Sequence, residues 1–298
     1  MNALNTNGFA VGGIGEILWD VIGDVEKLGG APVNFAFHAG QLGAKAYPIS
    51  SVGDDARGAA AIAELQRNGV TTDHISVIDG AATGFVTARI DVDGVASYTF
   101  PDDVAWDRIS PAEGTVALAG RLDAVCFGSL AQRSEQSRRV IQDFLGLMKP
   151  GALKIFDLNI RQHFYSPALI RESLTWANVL KLNDDEITLV ADIEQLHGDA
   201  SNQMQQLVER YGLRLAVLTR GGSGSLLVAK NSASDHRGYP CAVIDTIGAG
   251  DSFTAATAMG LLKARSLDRI NDHANRVASF VCGRKGAMVA LPDELRQG

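Results

Sequence analysis

The sequence predicts an α/β protein, a mostly parallel sheet with helices on both faces that carries a small β insertion. Three observations point there. Short β-rich runs alternate with longer stretches of helical spacing along nearly the whole chain. One region breaks that alternation with two adjoining period-2 runs. No solenoid repeat, low-complexity tract or Pro/Ser-rich linker divides the sequence. Residues 1–298 therefore read as one domain. With 46% hydrophobic residues against 20% charged, it has a core to bury, unlike a disordered chain.

Taken in order, "FAVGGIG" is the first strand. The segment "WDVIGDVEKLGG", residues 19–30, is strand-like and groups with the insertion. "GGAPVNFAFHAGQLG" has a Gly pair, Pro32 in a first helical turn and then an apolar helical run. "AYPISSVG" is the next strand. "GFVTARIDVDGVASYTF", residues 84–100, places two period-2 runs around "DVDG", a hairpin signature. "LDAVCFG", "LKIFDLN", "NVLKLN" and "LRLAVLT" follow as strands, with helices such as "SEQSRRVIQDFLGLM" and "ASNQMQQLVERYG" between them. "LTRGGSGSLLV" is a Gly-rich turn between two strands. In "CAVIDTIGAGDSFTAATAMGLL" an extended run ends at Asp245, and a helix starts at Ala249 after the glycines. A few inserted strands are marginal alone, so residues 19–30 and 84–100 are expected to cover the main sheet as a lid or to pair with a second copy in a homodimer.

Several function classes fall away. A net charge of -7 without any Lys/Arg cluster carries no nucleic-acid footprint and no polybasic membrane patch. No apolar run is long enough to span a bilayer and the first twenty residues hold no Lys or Arg, which reads as cytoplasmic. Cys126, Cys241 and Cys282 are few, odd in number and far apart, so they read as reduced, buried thiols. The six histidines show no paired metal-ligand spacing and no G-x-S-x-G elbow occurs, which removes zinc-protease and serine-hydrolase readings.

Ligands in such a fold gather at the carboxyl ends of the strands. There, "DTIGAGDSF" combines a helix N-terminus with Gly248 and Gly250, which let an anion approach the backbone, and places Asp251 beside it as a proton acceptor. A plain helix entry, with Asp251 or Ser252 as N-cap, fits the same residues. The motif is neither a G-K-[ST] phosphate loop nor a dinucleotide fingerprint. Asp20, expected at or just beyond the end of the first strand, could grip sugar hydroxyls, and Asn34 offers both a donor and an acceptor. Arg161 suits phosphate oxygens; Asn183 with Glu186 suits the water shell of Mg²⁺. Each of these has an ordinary reading as a solvated or turn residue.

"GGAPVNFA" and "DTIGAGDSF" resemble the two signature regions of the ribokinase-like (PfkB) carbohydrate kinases, and "FDLNIRQHF", "KLNDDE" and "LTRGGSG" resemble the blocks between them. The resemblance spans the whole chain. "GEILWD", "FGSLAQR", "DLNIRQHFYS" and "VLKLNDDE" look most like bacterial fructokinases. It implies a three-layer α/β/α sandwich with a small β lid, and ATP-dependent phosphorylation of a sugar hydroxyl, converting fructose to fructose 6-phosphate. Asp251 would be the general base and Gly248, Ala249 and Gly250 the anion hole, with Arg161 near the transferred phosphate. The sugar would meet Asp20, Gly29, Gly30 and Asn34. Thr219, Gly221 and Gly224 would border the nucleotide, and Asn275 its adenine. Asn183 and Glu186 would organise Mg²⁺ through water, and K⁺ would sit beside Asp245 and the Ile247 backbone, with carbonyls from residues 282–286.

Other acceptors in that family are ribose, 2-keto-3-deoxygluconate and nucleosides. A sugar acid would need added positive charge, which Arg89 or Arg133 could supply. A non-catalytic sugar- or nucleotide-binding relative is a third class, opposed by the intact Asp251, anion-hole glycines, Asn183 and Glu186.

Overall fold

The computed structural model describes residues 8–90 and 96–297. Among those residues thirteen strands form two sheets: β1 (Ala10–Ile14), β2 (Leu18–Ile22), β3 (Val25–Gly29), β4 (Lys45–Gly53), β5 (Ile75–Ile78), β6 (Gly84–Ile90), β7 (Ala96–Thr99), β8 (Ala124–Phe127), β9 (Leu153–Asp157), β10 (Val179–Asn183), β11 (Leu215–Thr219), β12 (Ser225–Ala229) and β13 (Ser232–His236). The main sheet runs β13-β12-β11-β10-β9-β8-β1-β4-β5, parallel from β11 through to β5 and antiparallel only at the β12 and β13 edge. Its helices are α1 (Ala31–Gln41), α2 (Ala56–Arg67), α3 (Thr115–Ala119), α4 (Glu135–Gly146), α5 (Pro167–Trp176), α6 (Asp184–Glu194), α7 (Ala200–Tyr211), α8 (Ala249–Leu262), α9 (Leu267–Cys282) and α10 (Asp293–Gln297).

Strands covered on both faces read as unbroken apolar runs, and β8, "AVCF", is buried at every position. Alternation assigns its side chains to opposite layers. Val125 and Phe127 join the core beneath α4 to α7, while Ala124 and Cys126 join the core beneath α1, α8 and α9. Residues 252–260 of α8 are buried throughout, most of them small, and α9 packs closely: a Cβ on Gly260 would lie 2.7 Å from Ile270.

Residues 19–30 and 84–100 do meet in one small sheet, ordered β3-β2-β6-β7. The β2/β3 and β6/β7 pairs are antiparallel and β2/β6 is parallel. The "DVDG" turn of the expected hairpin lies outside the described residues. This sheet rests on α1, α2 and β4 through a third apolar cluster that includes Ile17, Trp19, Leu28, Val33 and Phe37. The Trp19 indole donates to the Arg57 carbonyl at 3.1 Å.

Two sequence expectations are corrected. Asp20 is not at the end of β1, which stops at Ile14, but within β2 of the small sheet. The run before Asp245 is no strand either. The amides of Ile244 and Asp245 donate to the Cys282 carbonyl at the end of α9, at 2.9 and 3.2 Å, and Val243 and Ile244 are exposed. Apolar, β-favouring residues here lie on the surface instead of joining a ladder.

Candidate active site

Helix α8 begins without a side-chain cap. Its N-cap is Gly248 at φ 79°, left-handed backbone that suits glycine, and a Cβ there would lie 2.7 Å from the Ala287 Cα. Ser252 turns its hydroxyl back to the Ala249 carbonyl at 2.8 Å. Asp251, in the first turn, accepts instead from the Asn34 amide on α1 at 2.8 Å. Neither residue caps the helix, so no side chain accepts from its first-turn amides at the positive end of the helix dipole, and the Ala249 amide donates to the Thr246 carbonyl at 3.3 Å.

Around Asp251 the structure gathers residues from several elements. Asn34 is 3% exposed and its Oδ1 has no protein partner. The turn that presents it needs glycine, because Gly30 has φ 117° and a Cβ there would lie 2.3 Å from the Glu16 carbonyl. Arg161, after β9, is exposed; its guanidinium donates to the Ile160 carbonyl at 3.1 Å and acts electrostatically on Glu16, Asp20 and Asp251. Asp20 faces the same space across the β2/β3 ladder, opposite Lys27, and its Oδ2 would be 2.8 Å from a Cβ on Gly29. Burial raises its pKa, Arg161 and Lys27 oppose that, and Asp245 adds to it.

Burial pushes the Asp251 carboxyl up to about 6, helped by the Asp157 carboxylate and opposed by Asn34, Lys181 and Arg161. An acid in that range is ionised at neutral pH yet basic enough to take a proton in a transition state.

Sequence reading missed three participants. Glu16, 2% exposed, accepts from the Ala31 amide at 3.2 Å through Oε1, while Oε2 has no protein partner. Burial first, and Asp251 with it, raise its pKa to about 7. The signal was a lone carboxylate inside the apolar run "IGEIL". Lys181 and Asp157 form a buried ion pair at 2.9 Å below α8, and the Thr254 hydroxyl donates to the other Asp157 oxygen at 2.8 Å. Charged residues that interrupt strand-like apolar runs, as in "VLKLN" and "KIFDL", were the available clue.

The remaining expected residues separate into those turned toward the open edge and those engaged within the fold. Asn183 and Glu186 form a capping box at the start of α6. Asn183 Oδ1 accepts from the Glu186 amide at 2.9 Å, and Glu186 accepts from the amides of Asn183 and Ile160 at 2.8 and 2.9 Å. Among the described residues no group of three or more His, Cys, Asp or Glu converges to hold a metal ion. Asn183 Oδ1 and both Glu186 carboxylate oxygens are already engaged by backbone amides. Thr219 donates to the Leu182 carbonyl at 3.2 Å. Gly221 has open space around it. Gly224 packs against β13, where a Cβ would be 1.9 Å from the His236 carbonyl. Asn275, 7% exposed, donates to Ser225 and Asn271 and so ties α9 to β12 instead of facing an open surface.

At the expected K⁺ position the Asp245 carboxylate is already engaged. Asp245 Oδ1 accepts from the Ile247 amide at 3.1 Å; Oδ2 accepts from the Gly286 amide and from the Lys27 ammonium, both at 3.0 Å. A lysine already supplies the positive charge there. Arg133 is likewise engaged. Its guanidinium makes a two-pronged pair with Asp107 at 2.8 and 2.7 Å, donates to the Pro101 carbonyl, and lies over the Trp106 and Phe164 rings. The Arg89 side chain is outside the described residues.

The profile of the pfkB family carbohydrate kinases matches residues 15–294. The chain belongs to that family. It is a sugar kinase, a phosphotransferase with an alcohol group as acceptor. The fructokinase of Salmonella typhimurium is 30% identical over 278 residues, covering 89% of this kinase and 88% of that one. A Pyrococcus horikoshii sugar kinase, solved in complex with ATP, superposes at a TM-score of 0.80 with 27% identity over 93% of this chain and 94% of that one. The 2-dehydro-3-deoxygluconokinase of Thermotoga maritima gives a TM-score of 0.83 at 18% identity, covering 97% and 98%, and shows the shared fold alone. No helix of the described residues is long and apolar enough to cross a membrane.

Proposed function

We propose that this kinase transfers the γ-phosphoryl group of ATP to fructose, giving fructose 6-phosphate. The observation that carries the reading is the pairing of Asp251 with Asn34 at an uncapped helix N-terminus. Asn34 holds one Asp251 oxygen and leaves the other to accept the proton of a sugar hydroxyl. The Gly248–Ala249–Gly250 entry, with the positive end of the helix dipole, would meet the oxygens that gain charge as the phosphoryl group moves. Arg161 adds an exposed positive charge that acts on Asp251. Asp20, with the Gly29 and Gly30 backbone, orients the sugar, while the small sheet excludes water as a lid.

ATP as donor is supported by the ATP complex of the Pyrococcus relative. Thr219 and Gly221 lie on the strand-end side where a nucleotide would extend. Magnesium bound to the nucleotide supplies charge to its phosphate oxygens, and Asn183 and Glu186 would meet it through water. Fructose is favoured over a sugar acid by the Salmonella fructokinase match and by Arg133, whose charge Asp107 already neutralises.

A coupled ADP-release assay with fructose, ribose, 2-keto-3-deoxygluconate, tagatose and adenosine tests this. Strong preference for fructose is expected. Preference for another acceptor retains the chemistry and overturns the substrate; no turnover with any overturns the kinase assignment of the site.

A further inference from the structure

Beneath the first turn of α8 lies a second layer of charge that the reaction as described does not use. The Lys181 ammonium sits 3.3 Å from where a Cβ of Gly250 would be, so it lies directly under the peptide that opens the helix. Its side chain is 10% exposed and that of its partner Asp157 3%. Thr254 clamps the assembly: its hydroxyl donates to Asp157, and lies 3.0 Å from the Gly250 carbonyl one turn earlier. The space around the lysine stem, lined by Ile155, Val179, Val217 and Thr257, is too small for a water molecule. Charges in so dry a setting act on their neighbours with little screening.

Every element packed on Asp251 contributes to its electrostatic setting. Glu16 follows β1, Cys126 lies on β8, Asp157 on β9, Arg161 just beyond it, Lys181 on β10, and Asn34 comes from α1. Glu186 at the start of α6 acts on Lys181. Among these groups the acids outnumber the bases, and Lys181 is the buried base. Burial would push the Lys181 ammonium down, but the Asp157 and Glu186 carboxylates overcome this and hold it above the ordinary lysine range, so it stays charged.

We propose that Lys181 is a positioning residue for phosphoryl transfer, a buried ammonium, clamped by Asp157 and Thr254, that keeps Asp251 able to accept a proton and adds fixed positive charge to the anion-binding end of α8. This rests on Asp251 as the base. A salt bridge serving stability alone would have no reason to face the helix entry, since buried pairs are exchangeable for apolar packing at little cost.

The test is single-turnover phosphoryl transfer to fructose as a function of pH, in wild type, Asp157→Asn and the double variant Asp157→Asn/Lys181→Met. The double variant leaves no lone buried charge. Removing the Asp157 charge is expected to move the acid limb of the rate to lower pH. Removing Lys181 in that background is expected to move it back up by on the order of one pH unit, with the plateau lowered about tenfold and the fructose KM little changed. Coincident limbs and plateaus for the two variants overturn the proposal; if only the double variant folds, a plateau equal to wild type does so. Asp251→Asn serves as control: substantial turnover in that variant overturns the base itself, a failure distinguishable from that of Lys181.

Discussion

Two helices open at the same edge of the main sheet and do so in opposite ways. At α6 the side chains of Asn183 and Glu186 reach back and satisfy the free amides of their own helix. At α8 a glycine stands in the cap position, no side chain accepts from the first turn, and the acid in that turn faces Asn34 instead. Both are acidic, Gly- or Asn-led entries after apolar runs. The difference shows that a ligand-binding helix end is recognised less by its residues than by the amides it leaves without an internal acceptor.

The largest effect expected from breaking that contrast is at Asp251. Asp251→Asn keeps the shape and the Asn34 neighbour, so calorimetric ATP and fructose affinities should remain near wild type while kcat falls about a hundredfold or more. In the wild type the Asp251 carboxyl at about 6 should set an acid limb, the rate falling as pH drops through that value.

Next is Glu16, the carboxyl beside the open helix. Its pKa, raised to about 7, means that the folded state binds a proton that the unfolded chain releases near 4.5. The sign follows: Glu16 penalises folding above pH 7, and the penalty is relieved as pH falls from 7 toward 4.5. Glu16→Gln should therefore stabilise the protein at pH 8, by on the order of 2 kcal/mol, and flatten the dependence below it, read from urea melts at pH 5 and pH 8.

At the closed helix the expected loss of stability is smaller. Asn183→Ala removes the cap and should cost about 1 kcal/mol in urea denaturation. Smallest of all is the response to K⁺. Because Lys27 occupies the Asp245 carboxylate, rates in KCl and NaCl at equal ionic strength should agree, and strong activation by KCl would show that the lysine is displaced in the working enzyme.

How far the sequence disclosed this follows from what each signal depends on. Parallel strands and the small sheet were legible because burial on two faces or one writes its own periodicity. The GG-turn and "DTIGAGDSF" were legible because close backbone approach demands glycine. Positions settled by distant partners were not: Lys27 meets Asp245 across 218 residues, and nothing local tells that Lys181 is buried under Gly250. Nothing local tells that the Asn275 amide is claimed by Ser225, and the strand expected to end at Asp245 failed because β-favouring residues can also cover a surface.

The Asn34–Asp251 contact joins residues 217 apart in sequence. A ribosome delivers the first of them early and the second only after most of the polypeptide has emerged. The acceptor for the sugar proton therefore cannot be assembled on a partly synthesised chain, whatever sheet has already formed around β1, β4 and β8. Nascent and prematurely terminated products lacking Asp251 would be unable to consume nucleotide by this route, which makes the arrival of Asp251 the event on which the chemistry waits.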